Sequence, residues 1–243
     1  MLATAGYRLV RVRDRPGRYL DARATVSAAT TRGISVCEYV EELWDQRGVT
    51  DGVIAELKKS GSLSKTDRVC EIGPVTGRYL ERVIREVGPR AYDIYEIADD
   101  WAEWLSKTYS PPVVRQPADG HTLSHTPSGS CGLVHAHGVF VYLPLLHAFE
   151  YFAEMARVCA SKGYLVFDIY PPDHFSASQI RRWLASPHRY PVPLPREAIE
   201  AFFAESDLRP VHRFDSRHGQ GFSTYLVFQK QAAEADRKRL TRD

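Results

Sequence analysis

The residues of this chain best placed to do chemistry fall in one short run, Glu71-Ile72-Gly73-Pro74-Val75-Thr76-Gly77, and in the acids that follow it at Glu96 and Asp119. Glycines in such a run let backbone approach a ligand closely. Val75 stands where the dinucleotide fingerprint needs its second glycine, and no Gly-Lys-Ser/Thr follows, so neither GxGxxG nor a P-loop is present. A pyrophosphate ligand is therefore disfavoured. Glu71 points the same way, because a carboxylate beside the loop repels phosphate and attracts a cationic or amino-bearing group. Glu96 follows at roughly the twenty-residue distance at which a βαβ unit delivers a ribose-binding acid. A carboxylate there can accept from both ribose hydroxyls, with Ile97 against an adenine face. Asp119 could accept from the adenine amino group, and Gly120 would keep that turn close to the ring.

Proton chemistry has candidates further on. His135 and His137 alternate with apolar residues and so share one face. His137, nearer the strand end, is either a general base at the ligand or a buried, hydrogen-bonded histidine; His135 is deeper and structural. Tyr142 could orient a substrate, whereas His147 reads as a helix-surface residue. Asp173-His174 offers a second possible acid–base pair, but a metal there would lack a third ligand, and no metal site is expected. Arg181, Arg182, His188, Arg189 and Tyr190 could rim a lid, which would favour a polar or anionic substrate. Tyr39 and Trp44 could close over the site from the N-terminal helices.

These residues need elements to hold them. Asp67–Ile72 reads as a strand and Tyr79–Val87 as a helix ending at Gly88-Pro89. Ala91–Ile97 is a second strand, the Trp101–Leu105 region a helix stopped by Pro111-Pro112, and Val113-Val114 a third strand. Gly132–Gly138 is a fourth strand, 144–160 a long helix, and Gly163–Ile169 a fifth strand. Such alternation predicts βαβ units, a mainly parallel sheet and helices on both faces. Val36–Ser60 reads as two helices broken at Arg47-Gly48. Beyond Tyr170, helices at 176–185 and 196–206 flank a proline-rich loop. Strands 208–214 and 222–229, joined by residues 215–221, suit an antiparallel hairpin. The expected division is an arm and helices over 1–60, a ligand-binding domain over 61–231 with a lid at 171–206, and a charged tail over 232–243.

Composition narrows the class. The chain has 243 residues, 44% hydrophobic and 26% charged, with a net charge of +2. That balance is ordinary for a globular enzyme and gives no basic excess for a nucleic-acid partner. The four cysteines lack zinc-ligand spacing and read as reduced, buried thiols in a cytoplasmic protein. No signal-peptide stretch or membrane-length apolar run is visible. The sequence leaves monomer and homodimer both open.

On the residues 71–77, Glu96, Asp119, 133–140 and 162–165, the chain resembles the class I S-adenosylmethionine (SAM) dependent methyltransferases. The likeness covers roughly 64–170 and, loosely, the final hairpin. It implies a Rossmann-like three-layer α/β sandwich with a seven-stranded sheet, the last strand inserted antiparallel between the fifth and sixth. It implies SAM as cofactor, held by Glu71, Gly73, Pro74, Val75, Gly77, Glu96, Ile97, Asp119, Gly120 and His137. SAM bears an ammonium and a sulfonium and no phosphate, as the acids require. Two positions depart from the family pattern: Val75 replaces the middle glycine, and Gly132 stands where an Asp often opens the fourth strand. The expected activity is O-methylation of a small polar acceptor such as a sugar or hydroxylated metabolite, with His137, Tyr142 and His174 as catalytic candidates. Transfer to nitrogen, SAM binding without turnover, and an NAD-dependent oxidoreductase on a related sheet are the alternatives.

Overall fold

The computed structural model describes residues 20–185, 191–219 and 221–232. Three helices open it: α1 (Ala22–Thr31), α2 (Val36–Leu43) and α3 (Val49–Lys59). Asp21 caps α1 through the N–H of Ala24, and Ser35 and Glu38 form a reciprocal capping box on α2. Gly48, in the left-handed region, makes the break read at Arg47-Gly48 and starts α3.

The alternating part follows as β1 (Arg68–Ile72), α4 (Arg78–Val87), β2 (Ala91–Tyr95), α5 (Asp99–Thr108), β3 (Val113–Arg115), β4 (Cys131–Ala136), α6 (Leu145–Val158) and β5 (Cys159–Ile169). Then come α7 (Ala177–Ala185), α8 (Arg196–Ala204), β6 (Leu208–His218) and β7 (Gly221–Lys230). The seven strands lie in the order β3-β2-β1-β4-β5-β7-β6. β1 pairs in parallel with β2 and β4, β2 with β3, and β4 with β5. β7 runs antiparallel to both β5 and β6, so it alone is reversed. This is the Rossmann-like arrangement expected, with the last strand inserted between the fifth and sixth.

Burial explains the strand compositions. β1, β2 and β4 are buried over nearly their whole length, as central parallel strands covered on both faces must be. One core cluster joins Phe140, Phe152, Phe167, Phe203 and Phe228 under α6 and α8. The other joins Val53, Leu57, Leu80, Val83, Ile94 and Val166 under α3 and α4. Of the N-terminal helices, α3 thus shares the main core, while α1 packs on α2 and α5. Trp101 Nε1 also donates to the Leu20 carbonyl at 2.7 Å, and Ala22 N to Asp100.

The hairpin departs from expectation. Residues 215–218 continue β6, and Gly221 already pairs with His218, so the expected loop over 215–221 is mostly strand. Its charged and polar residues read as a loop because β6 is an edge strand, where alternate side chains face water. Gly132 also has a local reason: a side chain there would collide with Thr66. The four cysteines are buried free thiols. Among the described residues, no helix is long and apolar enough to cross a membrane.

Candidate active site

A cavity of about 880 Å³ opens at the carboxyl ends of β1, β2 and β4, where the strand order reverses. The β1–α4 turn forms its floor. Gly73, Val75 and Gly77 all have positive φ, at 62°, 45° and 75°. Two of these positions have no room for a side chain. A Cβ on Gly73 would lie 2.8 Å from Val139, and one on Gly77 would lie 2.6 Å from Leu105. Gly77 therefore faces α5 and not the cavity, a correction to its place among the ligand-contacting residues. Val75 bears a left-handed conformation that a β-branched residue rarely adopts. Its side chain is 37% exposed and lines the cavity without plugging it.

Glu96 is buried behind the turn. One oxygen accepts from Val75 N at 2.9 Å and the other from Ala98 N at 2.8 Å. Burial raises its pKa against these bonds. It lines the cavity together with Ile97, which is 72% exposed. Gly120 lines the same end, but Asp119 does not. The Asp119 carboxylate folds back on its own turn, accepting from His121 N, Thr122 N and the Thr122 hydroxyl. Desolvation pushes its pKa up, but these bonds outweigh it and hold it down to about 2. The adenine-amino role read for Asp119 is thus not matched by its placement.

Glu71 begins a buried row of polar groups. Tyr92 Oη lies 2.7 Å from Glu71 Oε2 and 2.7 Å from His135 Nε2. His135 Nδ1 lies 3.0 Å from His137 Nε2, and His137 Nδ1 lies 3.2 Å from Tyr225 Oη. Tyr225 Oη in turn lies 3.1 Å from Tyr79 Oη, and the Tyr79 ring stacks on His137 at 3.6 Å. Burial raises the Glu71 pKa to about 8 and lowers His135 to about 3. His137 is also pushed well below its ordinary value, first by burial and then by His135 and Arg78. At neutral pH all three are therefore mostly uncharged, and the 3.8 Å approach of His135 to Glu71 is no ion pair. Both nitrogens of His137 are engaged by protein groups, which removes it as a free general base.

A different histidine reaches the cavity. His218, at the end of β6, lines the cavity with Nδ1 3.5 Å from Asp168 Oδ2. Asp168 is buried at the end of β5, and its other oxygen accepts from Gly138 N at 2.6 Å. Ser223 also lines this end; its buried hydroxyl has no hydrogen-bond partner among the described residues. Trp44, Gln46 and Val49 wall it from the α2–α3 turn. The Arg78 guanidinium lies 4.8 Å from the Trp44 ring centre and donates to Gln46.

Glu71, Gly73, Pro74, Val75, Glu96, Ile97, Gly120, His137, Tyr142 and Trp44 thus meet at one cavity. Three other expected contacts do not reach it. His174 lies on the opposite face of the sheet, 3.5 Å from Thr224 Oγ1, because neighbouring strand residues point to opposite sides. Tyr39 sits under Arg32 on the outside of α2. Arg181 is exposed on α7. His188, Arg189 and Tyr190 lie outside the described residues. Arg78, Tyr79, Asp168, His218, Ser223 and Tyr225 went unread. Asp168 had a signal, an acid near the end of a strand otherwise apolar, but the rest needed the hairpin register.

Comparison with solved structures places this architecture. Magnesium protoporphyrin IX methyltransferase from Synechocystis PCC 6803, solved with S-adenosylhomocysteine (SAH) bound, aligns with a TM-score of 0.60. It is 13% identical, over 80% of this chain and 86% of that one. The N-methyltransferase NodS from Bradyrhizobium japonicum, also in complex with SAH, aligns with a TM-score of 0.57 at 15% identity, over 76% of this chain and 87% of that one. The chain has the class I SAM-dependent methyltransferase fold. A geranyl diphosphate methyltransferase, 13% identical with a TM-score of 0.56 over 74% of this chain and 77% of that one, shares the methyltransferase fold too. No protein-family model and no curated protein matches the sequence.

Proposed function

We propose that the chain is a SAM-dependent methyltransferase that transfers a methyl group to a hydroxyl oxygen of a small polar acceptor. The observation that carries this is the meeting, in one cavity, of the buried acids Glu71 and Glu96 with the Asp168–His218 pair. The cavity suits the cofactor, since small-molecule sites span roughly 300–1,000 Å³. Glu96 would hold the ribose hydroxyls through its remaining lone pairs, with Ile97 against the adenine. Glu71 and Arg78 would receive the ammonium and carboxylate of the amino-acid end. SAM supplies the methyl group, already activated on a sulfonium.

The protein's own share is then mainly alignment, which can be equivalent to an effective molarity on the order of 10⁵–10⁸ M. A hydroxyl acceptor also has to lose a proton. The Asp168 carboxylate, 3.5 Å from Nδ1 of His218, can orient the ring so that Nε2 faces an acceptor. His218 then accepts the acceptor's proton as the oxygen–carbon bond forms, and releases it to water afterwards. Ser223 supplies an unused hydroxyl to the same acceptor. Trp44, Arg78 and Tyr79 favour a polar acceptor with a flat or anionic part.

Calorimetric titration with SAM and with SAH, followed by a radiolabelled methyl-transfer assay over phenols, sugars and hydroxy acids, tests the reading. Micromolar binding with label on oxygen supports it. Binding of NAD but not SAM, or label appearing only on amines, overturns it.

A further inference from the structure

The buried polar row from Glu71 to Tyr79 is longer than cofactor binding requires. Six side chains from β1, β2, β4 and the turn after it, β7 and α4 are linked end to end, at 2.7, 2.7, 3.0, 3.2 and 3.1 Å. Each internal member has both of its hydrogen-bonding positions on the row occupied by neighbours in it. A tyrosine carries one proton to donate, and a neutral histidine carries one on either nitrogen. With any Glu71 proton on Oε2, the oxygen that faces Tyr92, these counts permit two fully bonded arrangements.

In the first, Glu71 is protonated and donates to Tyr92, which donates to His135 Nε2. His135 donates from Nδ1 to His137, His137 from Nδ1 to Tyr225, and Tyr225 to Tyr79. The Tyr79 proton is then left over and is offered to the cavity. In the second, Glu71 is ionised and every donor is reversed. Tyr79 donates to Tyr225, Tyr225 to His137 Nδ1, His137 from Nε2 to His135 Nδ1, and His135 from Nε2 to Tyr92. Tyr92 donates to the carboxylate. Tyr79 now presents only lone pairs to the cavity. The two states differ by one proton, and a single concerted set of hops converts one to the other. The Glu71 proton enters the row, each member passes one on, and the proton of Tyr79 leaves into the cavity.

We infer that this row is a proton wire through which a cation at Glu71 turns Tyr79 from a hydrogen-bond donor into an acceptor, so that the hydroxyl substrate is received only after the cofactor. The inference rests on the proposed binding of SAM, whose ammonium favours the ionised carboxylate. Glu71, at the end of β1, is faced by Tyr92 of β2, by Glu96 just beyond β2 and by His135 of β4. None of these is a cation at neutral pH, so the carboxyl stays protonated until a ligand brings positive charge or the pH rises. The histidines conduct because burial keeps both uncharged. His218 takes the proton of the reacting hydroxyl, and Tyr79 can accept from a second donor group of the polar acceptor only in the second state.

Nitrogen-15 spectra of histidine-labelled protein read the two states directly, since they show which ring nitrogen carries the proton. At about pH 6.5, near an ordinary histidine pKa, the free protein should hold protons on Nδ1 of both His135 and His137. Saturation with SAM should move both to Nε2, with neither ring becoming cationic. About one proton per SAM should appear in calorimetry repeated in buffers of different ionisation enthalpy. Raising the pH to about 9 without SAM, above the raised Glu71 pKa of about 8, should cause the same change. Tyr92→Phe should uncouple both rings from pH and from SAM while the protein stays folded by circular dichroism. If the pH change moves both protons but SAM neither binds nor moves them, the wire stands and the cofactor assignment fails. If SAM binds and both rings keep their tautomers, or either becomes imidazolium, the wire is overturned.

Discussion

The two ends of the cavity are assembled in opposite ways. The end proposed for the nucleoside is made by strand tips and the turns directly behind them: Glu71 to Val75 at the end of β1, Glu96 and Ile97 after β2, and Gly120 after β3. Glu96 at this end is locked by the backbone N–H groups of Val75 and Ala98. The end proposed for the acceptor is gathered from Trp44 and Gln46 before α3, Asp168 on β5, His218 on β6 and Ser223 on β7. One of its groups, the Ser223 hydroxyl, is left without a protein partner. The first end is a fixed receptor that the sheet builds by default. The second depends on a hairpin and a helical cover that can vary while the sheet stays the same, and that is where substrate choice can be changed at little cost to folding.

The contrast is broken most severely at the acceptor end. His218→Ala should lower kcat on a hydroxyl acceptor by about 10²–10⁴-fold, the usual worth of a general base, and leave SAM affinity nearly unchanged. Parallel kinetics and calorimetry on the variant check this. A loss of SAM binding instead would mean that the two ends are not separable. Glu96→Ala should do the converse. Losing charge-assisted bonds to ribose, and the acceptor for two backbone N–H groups, should weaken SAM by about 10²-fold. Unchanged affinity would remove the ribose assignment.

That division also explains what the chain disclosed before folding. β1, β2 and β4 could be read because central parallel strands are unbroken apolar runs, and the acids behind them sit at set distances along the chain. Seven of the residues read as cofactor contacts besides His137 do line the cavity. Asp119 had the right position, but its turn consumed it, an outcome decided by Thr122 three residues on. His137 had the right face, but its partner Tyr225 is 88 residues away, and no local pattern announces a bond that far along the chain. His218 was hidden for a related reason. Residues 215–218 look like a polar loop, and only pairing with β7 makes them strand and turns His218 toward the cavity.

A third measurement probes the junction of the two ends. Glu71 ionises near pH 8 when folded, against about 4.5 for the unperturbed group. The folded state therefore holds more protons than the unfolded chain between these values, and stability must fall as pH rises through that window. Below about 4.5 the contribution is whole, and above about 8 it is gone, a loss on the order of a few kcal/mol. Glu71→Gln should flatten this part of the thermal-stability profile between about pH 5 and 8. A wild-type melting temperature that rises across the window at the expense of no other group, or an unaltered slope in the variant, would place Glu71 in water.

The smallest expected effect comes from the floor shared by both ends. Val75 has φ of 45°, between two glycines that are also left-handed. Residues other than glycine held there cost of order 1–3 kcal/mol, while a glycine would return roughly 0.5–1 kcal/mol through the greater freedom of the unfolded chain. Val75→Gly should therefore stabilise the protein by about 1 kcal/mol, or about 2–4 °C in a domain this size. The turn is already pinned by Val75 N to Glu96, a backbone bond that glycine keeps. SAM affinity should then stay level or rise slightly, because the only thing removed is a side chain at the cavity wall. If the variant instead loses both stability and SAM affinity, the isopropyl group is a working part of the floor. In that case the turn gains more from contact with the ligand than it loses in backbone strain.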